Sequence, residues 1–199
     1  MMPVYPWEQN IIEIARSWPR DGLLFSFMHG ISDFSITVYF ICVGIAFAVW
    51  RLGWRSISLC SAFSGFAVLL SEIVSRRVIK PFVMRPRPDY VGLDCHLNAC
   101  WGFVSSHATN VFSVAVFLTL YDRRNAVWAI PVAATVAFSR IYLVDHFPLD
   151  VIGGAIIGAL IGLWVWLTFQ IFTSKFNPLS WKIARKSSRH YRLPRSAQQ

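Results

Sequence analysis

Leu149-Asp-Val-Ile-Gly-Gly-Ala-Ile-Ile-Gly-Ala-Leu-Ile-Gly-Leu-Trp-Val-Trp-Leu-Thr-Phe-Gln-Ile-Phe172 carries no charge after Asp150. A hydrocarbon core of roughly 30 Å is crossed by about 20 apolar residues of helix, so this stretch reads as a membrane span. Gly154, Gly158 and Gly162 recur every four residues. That spacing makes a small-residue face on which a second helix can lie closely. Working outward, four further apolar stretches qualify or nearly so: Phe34–Trp50, Ile57–Ser75, Phe103–Tyr121 and Ala126–Val144.

Composition agrees. The chain has 199 residues, 55% hydrophobic, 16% aromatic and 15% charged, with mean hydropathy +0.49. Soluble chains carry roughly 25% charged residues. Disorder needs the opposite balance, and 11 Gly and 4 Cys exclude collagen-like and disulfide-scaffold classes. The expected fold is all-α, a polytopic transmembrane bundle of five clear spans. Before them, Ile11, Ile12, Ile14 and Ala15 alternate with Glu8, Glu13 and Arg16, between Trp7 and Trp18. This predicts an amphipathic helix lying in the interface over residues 1–30, or a short sixth helix. Leu23–Met28 is too short to span, and no basic n-region marks a cleavable signal peptide. The expected domain is 1–174, with 76–102 as its active-site loop and 175–199 as a basic tail.

With five spans, the Arg51–Arg55 and Asp122–Asn125 loops share one side with the tail. That side holds Arg51, Arg55, Arg123, Arg124 and seven tail cations, so it is expected to be cytoplasmic. The tail is expected to fray or to follow anionic lipid. Nucleic acid is not the expected partner, because no aromatic-basic stacking pattern accompanies those cations. The opposite loop nevertheless carries Arg76, Arg77, Lys80, Arg85 and Arg87. Cations retained against the orientation rule suggest an anionic ligand.

Three clusters stand at membrane boundaries on that side. Lys80-Pro-Phe-Val-Met-Arg-Pro-Arg87-Pro88 has three prolines, which predict extended chain with its cations turned inward; a basic loop touching headgroups is the plainer reading. Gly102-Phe-Val-Ser105-Ser106-His107 opens a span with free backbone N–H groups, two hydroxyls and an imidazole, an anion cradle beside a proton donor. Capping serines beside an incidental histidine would look the same. In Ser139-Arg140-Ile-Tyr-Leu-Val-Asp-His146-Phe-Pro-Leu-Asp150, Asp150 lies one helical turn after His146 and can fix its tautomer. Ionisable groups at membrane depth are functional by default. Together, two histidines, three cations and two hydroxyls suit phosphoryl transfer. Zinc suits them poorly. Cys95 and Cys100 do not form a C-x2-C pair, and three cations would repel a dication.

The clusters together resemble the type-2 phosphatidic acid phosphatase superfamily, with motifs K-x6-R-P, P-S-G-H and S-R-x5-H-x3-D. Lys80 to Arg87-Pro88 and Ser139-Arg140, His146 and Asp150 match at every specified position; in the middle motif Val104 and Ser106 replace proline and glycine. The resemblance implies a lipid phosphatase with a six-helix core and no metal or other cofactor. It implies His146 as nucleophile forming a phosphohistidine, Asp150 orienting it, and His107 as general acid. Lys80, Arg87 and Arg140 would hold phosphoryl oxygens with Ser105 and the N–H of Ser106. The expected setting is the inner membrane, with the site facing the periplasm or cell exterior. The substrate would be a lipid phosphate or diphosphate: undecaprenyl diphosphate, a lipid A phosphate, phosphatidylglycerol phosphate or phosphatidic acid. A lipid phosphotransferase and a non-catalytic lipid or anion transporter are the rival readings.

Smaller features have plainer expectations. Arg85 reads as a secondary headgroup contact, Asp145 as a solvated turn carboxylate, and Glu72 as the i,i+4 partner of Arg76. Tyr90 and Trp101 read as interfacial anchors. Cys95 and Cys100 are either bridged or both reduced, while Cys42 and Cys60 are inert within spans.

Overall fold

The structure, a computed structural model, describes residues 2–33, 54–92 and 98–176. Among these it is all-helical, apart from one isolated antiparallel bridge between Pro86 and Trp101. The principal helices are α1 (Pro6–Arg16), α2 (Gly22–Ser32), α3 (Trp54–Ile73), α4 (Ser106–Tyr121), α5 (Ala126–Tyr142) and α6 (Pro148–Phe176). The expected span Phe34–Trp50, Cys42, Cys95 and the tail beyond Phe176 lie outside the described residues.

Apolar side chains cover the outside. Leu69, Ile73, Ile130, Val132, Phe138, Ile152, Ile156, Leu160, Trp164 and Leu167 are exposed, whereas Glu8, Lys80, Arg85, His146 and Asp150 are buried. That inversion is what a protein solvated by lipid requires. The chain is a membrane protein. Two described stretches, Leu59–Val83 and Pro148–Ser174, are long and apolar enough to cross a bilayer. Helices α4 and α5 have 16 and 17 residues, at or just under the lower edge of a spanning length. Five full spans are therefore not established.

Helix α6 lies against α4 with its glycine face inward. A Cβ built on Gly154, Gly158 or Gly162 would sit 2.7, 2.3 and 2.3 Å from the backbone oxygens of Ser105, Thr109 and Ser113. The two backbones therefore touch, as the four-residue spacing predicts. Gly158→Ala is expected to cost about 1–3 kcal/mol, since the obstructing atom is backbone and cannot rotate away. A fall of several degrees in the unfolding midpoint in detergent would show it. Gly65→Ala on α3, where nothing lies within 4 Å, should leave the midpoint unchanged or slightly raised.

Two local departures from expectation shape the site. Helix α3 does not stop at the membrane boundary; it passes through a π-helical turn, Val74–Ile79, into a last α-helical turn, Lys80–Val83. Pro81 has no N–H for the carbonyl of Arg77 and its ring crowds that position, so the preceding turn widens. Lys80 thus sits on a helix, and the chain leaves helical geometry only at Met84, whose φ is 50°. Helix α1 forms where the periodicity places it, but its buried face meets protein. Ile12 and Ala15 pack on Val144 and Phe147, while Ile11, Ile14 and Trp7 stay exposed and Glu8 is buried.

Candidate active site

Residues from the ends of two helices, from the turn between α5 and α6, and from the strap of residues 84–88 surround a cavity of about 240 Å3. Its lining includes Arg76 and Lys80 from the end of α3, Arg87 from the strap, Ser106 and His107 from the first turn of α4, and His146 from the α5–α6 turn. The strap is held in place by backbone. Arg87 N donates to Cys100 O at 2.9 Å and Gly102 N to Arg85 O at 2.7 Å. Lys80 Nζ and Arg87 Nε both donate to the carbonyl of Trp101, at 3.0 and 3.4 Å. Two cations converging on one neutral oxygen carry surplus positive charge, which an anion in the cavity would neutralise. Cys100 is disulfide-bonded.

His146 is nearly inaccessible, at 1% exposure. Burial first, then the charges of Arg87, Lys80, Arg140 and His107, hold its imidazole well below the ordinary histidine range. The ring is therefore neutral at physiological pH and its electron pair is available. Asp150 lies behind it with Oδ2 3.6 Å from Nδ1, longer than a hydrogen bond, and Nδ1 has no hydrogen-bond partner. Spacing alone predicts contact here. Contact falls short because both oxygens of Asp150 are already engaged. Oδ1 accepts from Arg85 Nη1 at 2.6 Å, and Oδ2 accepts from Phe147 N at 3.0 Å, capping α6.

The remaining expected residues fall beside this cavity. Ser105 is fully buried; its N–H donates to Asp150 O at 3.0 Å, and its hydroxyl has no partner. Ser106 Oγ accepts from Ser75 Oγ at 3.1 Å, so the extra side chain in the middle motif is met by a hydroxyl on the π-helical turn. Arg140 borders an adjoining cavity of about 630 Å3, with Arg20, Phe25, His29, Ser32, Asp145 and others; His107 lines both cavities. Arg140 Nη2 pairs with Asp145 at 2.8 Å, so Asp145 is a bonded partner rather than a solvated turn carboxylate. Glu72 pairs with Arg76 at 2.5 Å, as predicted.

Arg85 differs most from its expected place. It is 0% exposed, lies 5.1 Å above the ring of Phe147, and joins Asp150 to Glu8. It faces two buried carboxylates rather than the protein surface. Sequence reasoning missed Glu8 altogether as a site neighbour. Its carboxylate accepts from Arg85, from Leu149 N at 3.1 Å and from Tyr5 N at 3.3 Å. Proline at the first turn of α1 and glutamate at its third position signal a helix start, but nothing local signals a partner 77 residues away.

This geometry can be set beside known proteins. A family model described as PAP2 superfamily matches residues 61–174. The chain belongs to the PAP2 superfamily. The matched PAP2 segment contains all three clusters. Among curated PAP2-type relatives, a lipid A 4'-phosphatase of Porphyromonas gingivalis is 32% identical over 55% of this chain and 51% of its own length. A lipid A 4'-phosphatase of Bacteroides thetaiotaomicron is 28% identical over 59% and 56%. The chain thus spans about half the length of these two relatives. An undecaprenyl-diphosphatase of Bacillus subtilis is 27% identical over 72% of this chain and 74% of its own. The crystal structure of a transmembrane PAP2 type phosphatidylglycerolphosphate phosphatase from Bacillus subtilis shares the fold, with TM-score 0.59 over 87% of both chains at 23% identity.

Proposed function

We propose that this PAP2 protein is an integral membrane lipid phosphatase that removes a terminal phosphate through a phosphohistidine on His146. The observation that carries the reading is the meeting of Lys80, Arg87, Ser106, His107 and a neutral, buried His146 around one cavity. Lys80 and Arg87, joined by Arg140 from the adjoining cavity, hold the phosphoryl oxygens and offset the charge of the transition state. Nε2 of His146 attacks phosphorus as the bond to the lipid oxygen breaks, and His107, held protonated by the negative charge of the bound phosphate beside it, gives that oxygen a proton and becomes neutral. The imidazolium proton on Nδ1 faces Asp150. In the second step His107 takes a proton from water, whose oxygen displaces phosphate from Nε2.

Substrates are cell-envelope lipids in this reading, with lipid A phosphate and undecaprenyl diphosphate foremost and phosphatidylglycerol phosphate and phosphatidic acid behind them. The names of the relatives support that order. The adjoining cavity, lined by Arg20, His29, Ser32 and Asp145, supports a substrate with polar groups beyond the scissile phosphate. The site faces the periplasm or cell exterior of an inner membrane, consistent with loop cations on the opposite side. The purified, detergent-solubilised protein is expected to release phosphate from at least one of these four lipids at an unchanged rate in EDTA. Folded protein releasing phosphate from none of them would overturn the hydrolase reading in favour of phosphoryl transfer between lipids.

A further inference from the structure

Glu8, Arg85 and Asp150 form a buried chain of charges ending behind His146, each fully inaccessible and each from a different part of the sequence. Alone, the Arg85–Asp150 pair would sum to zero and leave the carboxylate little charge to offer the imidazole. Glu8 changes that sum. With its charge the chain totals minus one, and the surplus lies next to a ring that becomes positive when its Nε2 bonds to phosphorus. The other groups around that ring, Lys80, Arg87, Arg140 and His107, are cationic or neutral and oppose a positive imidazole. Among the protein groups around the ring, the counter-charge therefore comes from behind.

We propose that Glu8 and Arg85 are positioning residues for the reaction. Arg85 fixes the carboxylate of Asp150 behind His146, and Glu8, delivered by the amino-terminal helix, restores the negative charge that Arg85 would otherwise cancel. The proposal rests on the phosphohistidine reading above and adds a remote carboxylate to it. Glu8→Gln keeps the shape, and its one amide oxygen can still accept from Leu149 N, but it gives up the second acceptor that Tyr5 N uses and removes the charge. It is expected to lower kcat about tenfold, as loss of an outer-shell partner commonly does, with KM nearly unchanged. It should also move the acid limb of the kcat profile to lower pH, because an imidazolium without its counter-charge is harder to form. The substrate's own titration is common to both proteins and cancels in the comparison.

The Glu8→Gln/Arg85→Gln double variant supplies the decisive arm. It returns the chain to minus one with amides in place of the ion pair. Its acid limb is expected back at the wild-type position, with most of the lost kcat recovered. A purely structural role predicts instead that the second substitution adds damage. Wild-type kcat and acid limb in Glu8→Gln, with only a lowered unfolding midpoint, would overturn the proposal. Should Glu8→Gln not accumulate, the double variant is compared directly with wild type: a coincident acid limb supports the proposal and a lowered one overturns it. His146→Ala is assayed alongside. If it remains active, the phosphohistidine reading fails; if it is inactive and Glu8→Gln equals wild type, only this proposal does.

Discussion

Phosphate release from the best lipid substrate is expected to fall at least about a thousandfold in His146→Ala, the scale of loss on removing a catalytic nucleophile. The variant should still fold. His146 Nδ1 makes no hydrogen bond that its loss would strand, and Asp150 keeps Arg85 and the N–H of Phe147. A buried imidazole replaced by a methyl leaves a void beside an existing cavity, where solvent can enter. Stability and chemistry are thereby separable at this position. The check is an initial-rate assay paired with a gel assay for acid-labile phosphate carried on the protein, present in wild type and absent from the variant. Residual release above about a tenth of wild type would place the nucleophile elsewhere, since the loss expected is two orders larger. A transporter using the basic cavity only to recognise its cargo would retain its transport in the same variant.

Arg85→Met is expected to be the most destabilising single change near the site. It leaves Glu8 and Asp150 as buried carboxylates with no cation between them. Removing one partner of a buried ionic group costs about 3–5 kcal/mol, against a total stability of roughly 5–15 kcal/mol. The protein should accumulate poorly, and any recovered should unfold roughly 6–20 degrees lower in detergent by the same reckoning. Arg87→Met makes the contrast. Two residues along the same strap, the Arg87 side chain meets a carbonyl oxygen, so its loss strands no charge. That variant should hold its midpoint and lose its phosphate release. Equal midpoints for the two variants would show that the Glu8–Arg85–Asp150 chain contributes no stability.

Much of this arrangement is legible from residues close together in the sequence. Gly154, Gly158 and Gly162 announce a helix contact because a repeat of four is nearly one turn. His146 and Asp150 stand near each other for the same reason, and Pro148 begins the helix that brings them there. What stayed illegible is non-local. The place of Arg85 depends on Glu8 at its other end, and a basic residue among prolines looks the same whether it faces lipid or a carboxylate 77 residues upstream. Ser106 reads as a departure from the family motif until Ser75 is seen opposite it. Ser75 arrives there on a π-helical turn, a local widening that periodicity arguments based on 3.6 residues do not contain. The 3.6 Å gap between His146 and Asp150 is likewise set by competition for the carboxylate oxygens rather than by spacing.

The bond from Leu149 N to Glu8 also bears on how the protein is made, because the two residues are 141 positions apart. A ribosome delivers Glu8 early, and its carboxylate waits without Leu149 and Asp150 until the last described helix has emerged. Contacts of such long range close late. On the proposed mechanism, the His146 imidazole would have its full buried counter-charge only once Glu8 has met Arg85 and Leu149, so a partly inserted nascent chain is expected to be catalytically silent toward the lipids around it.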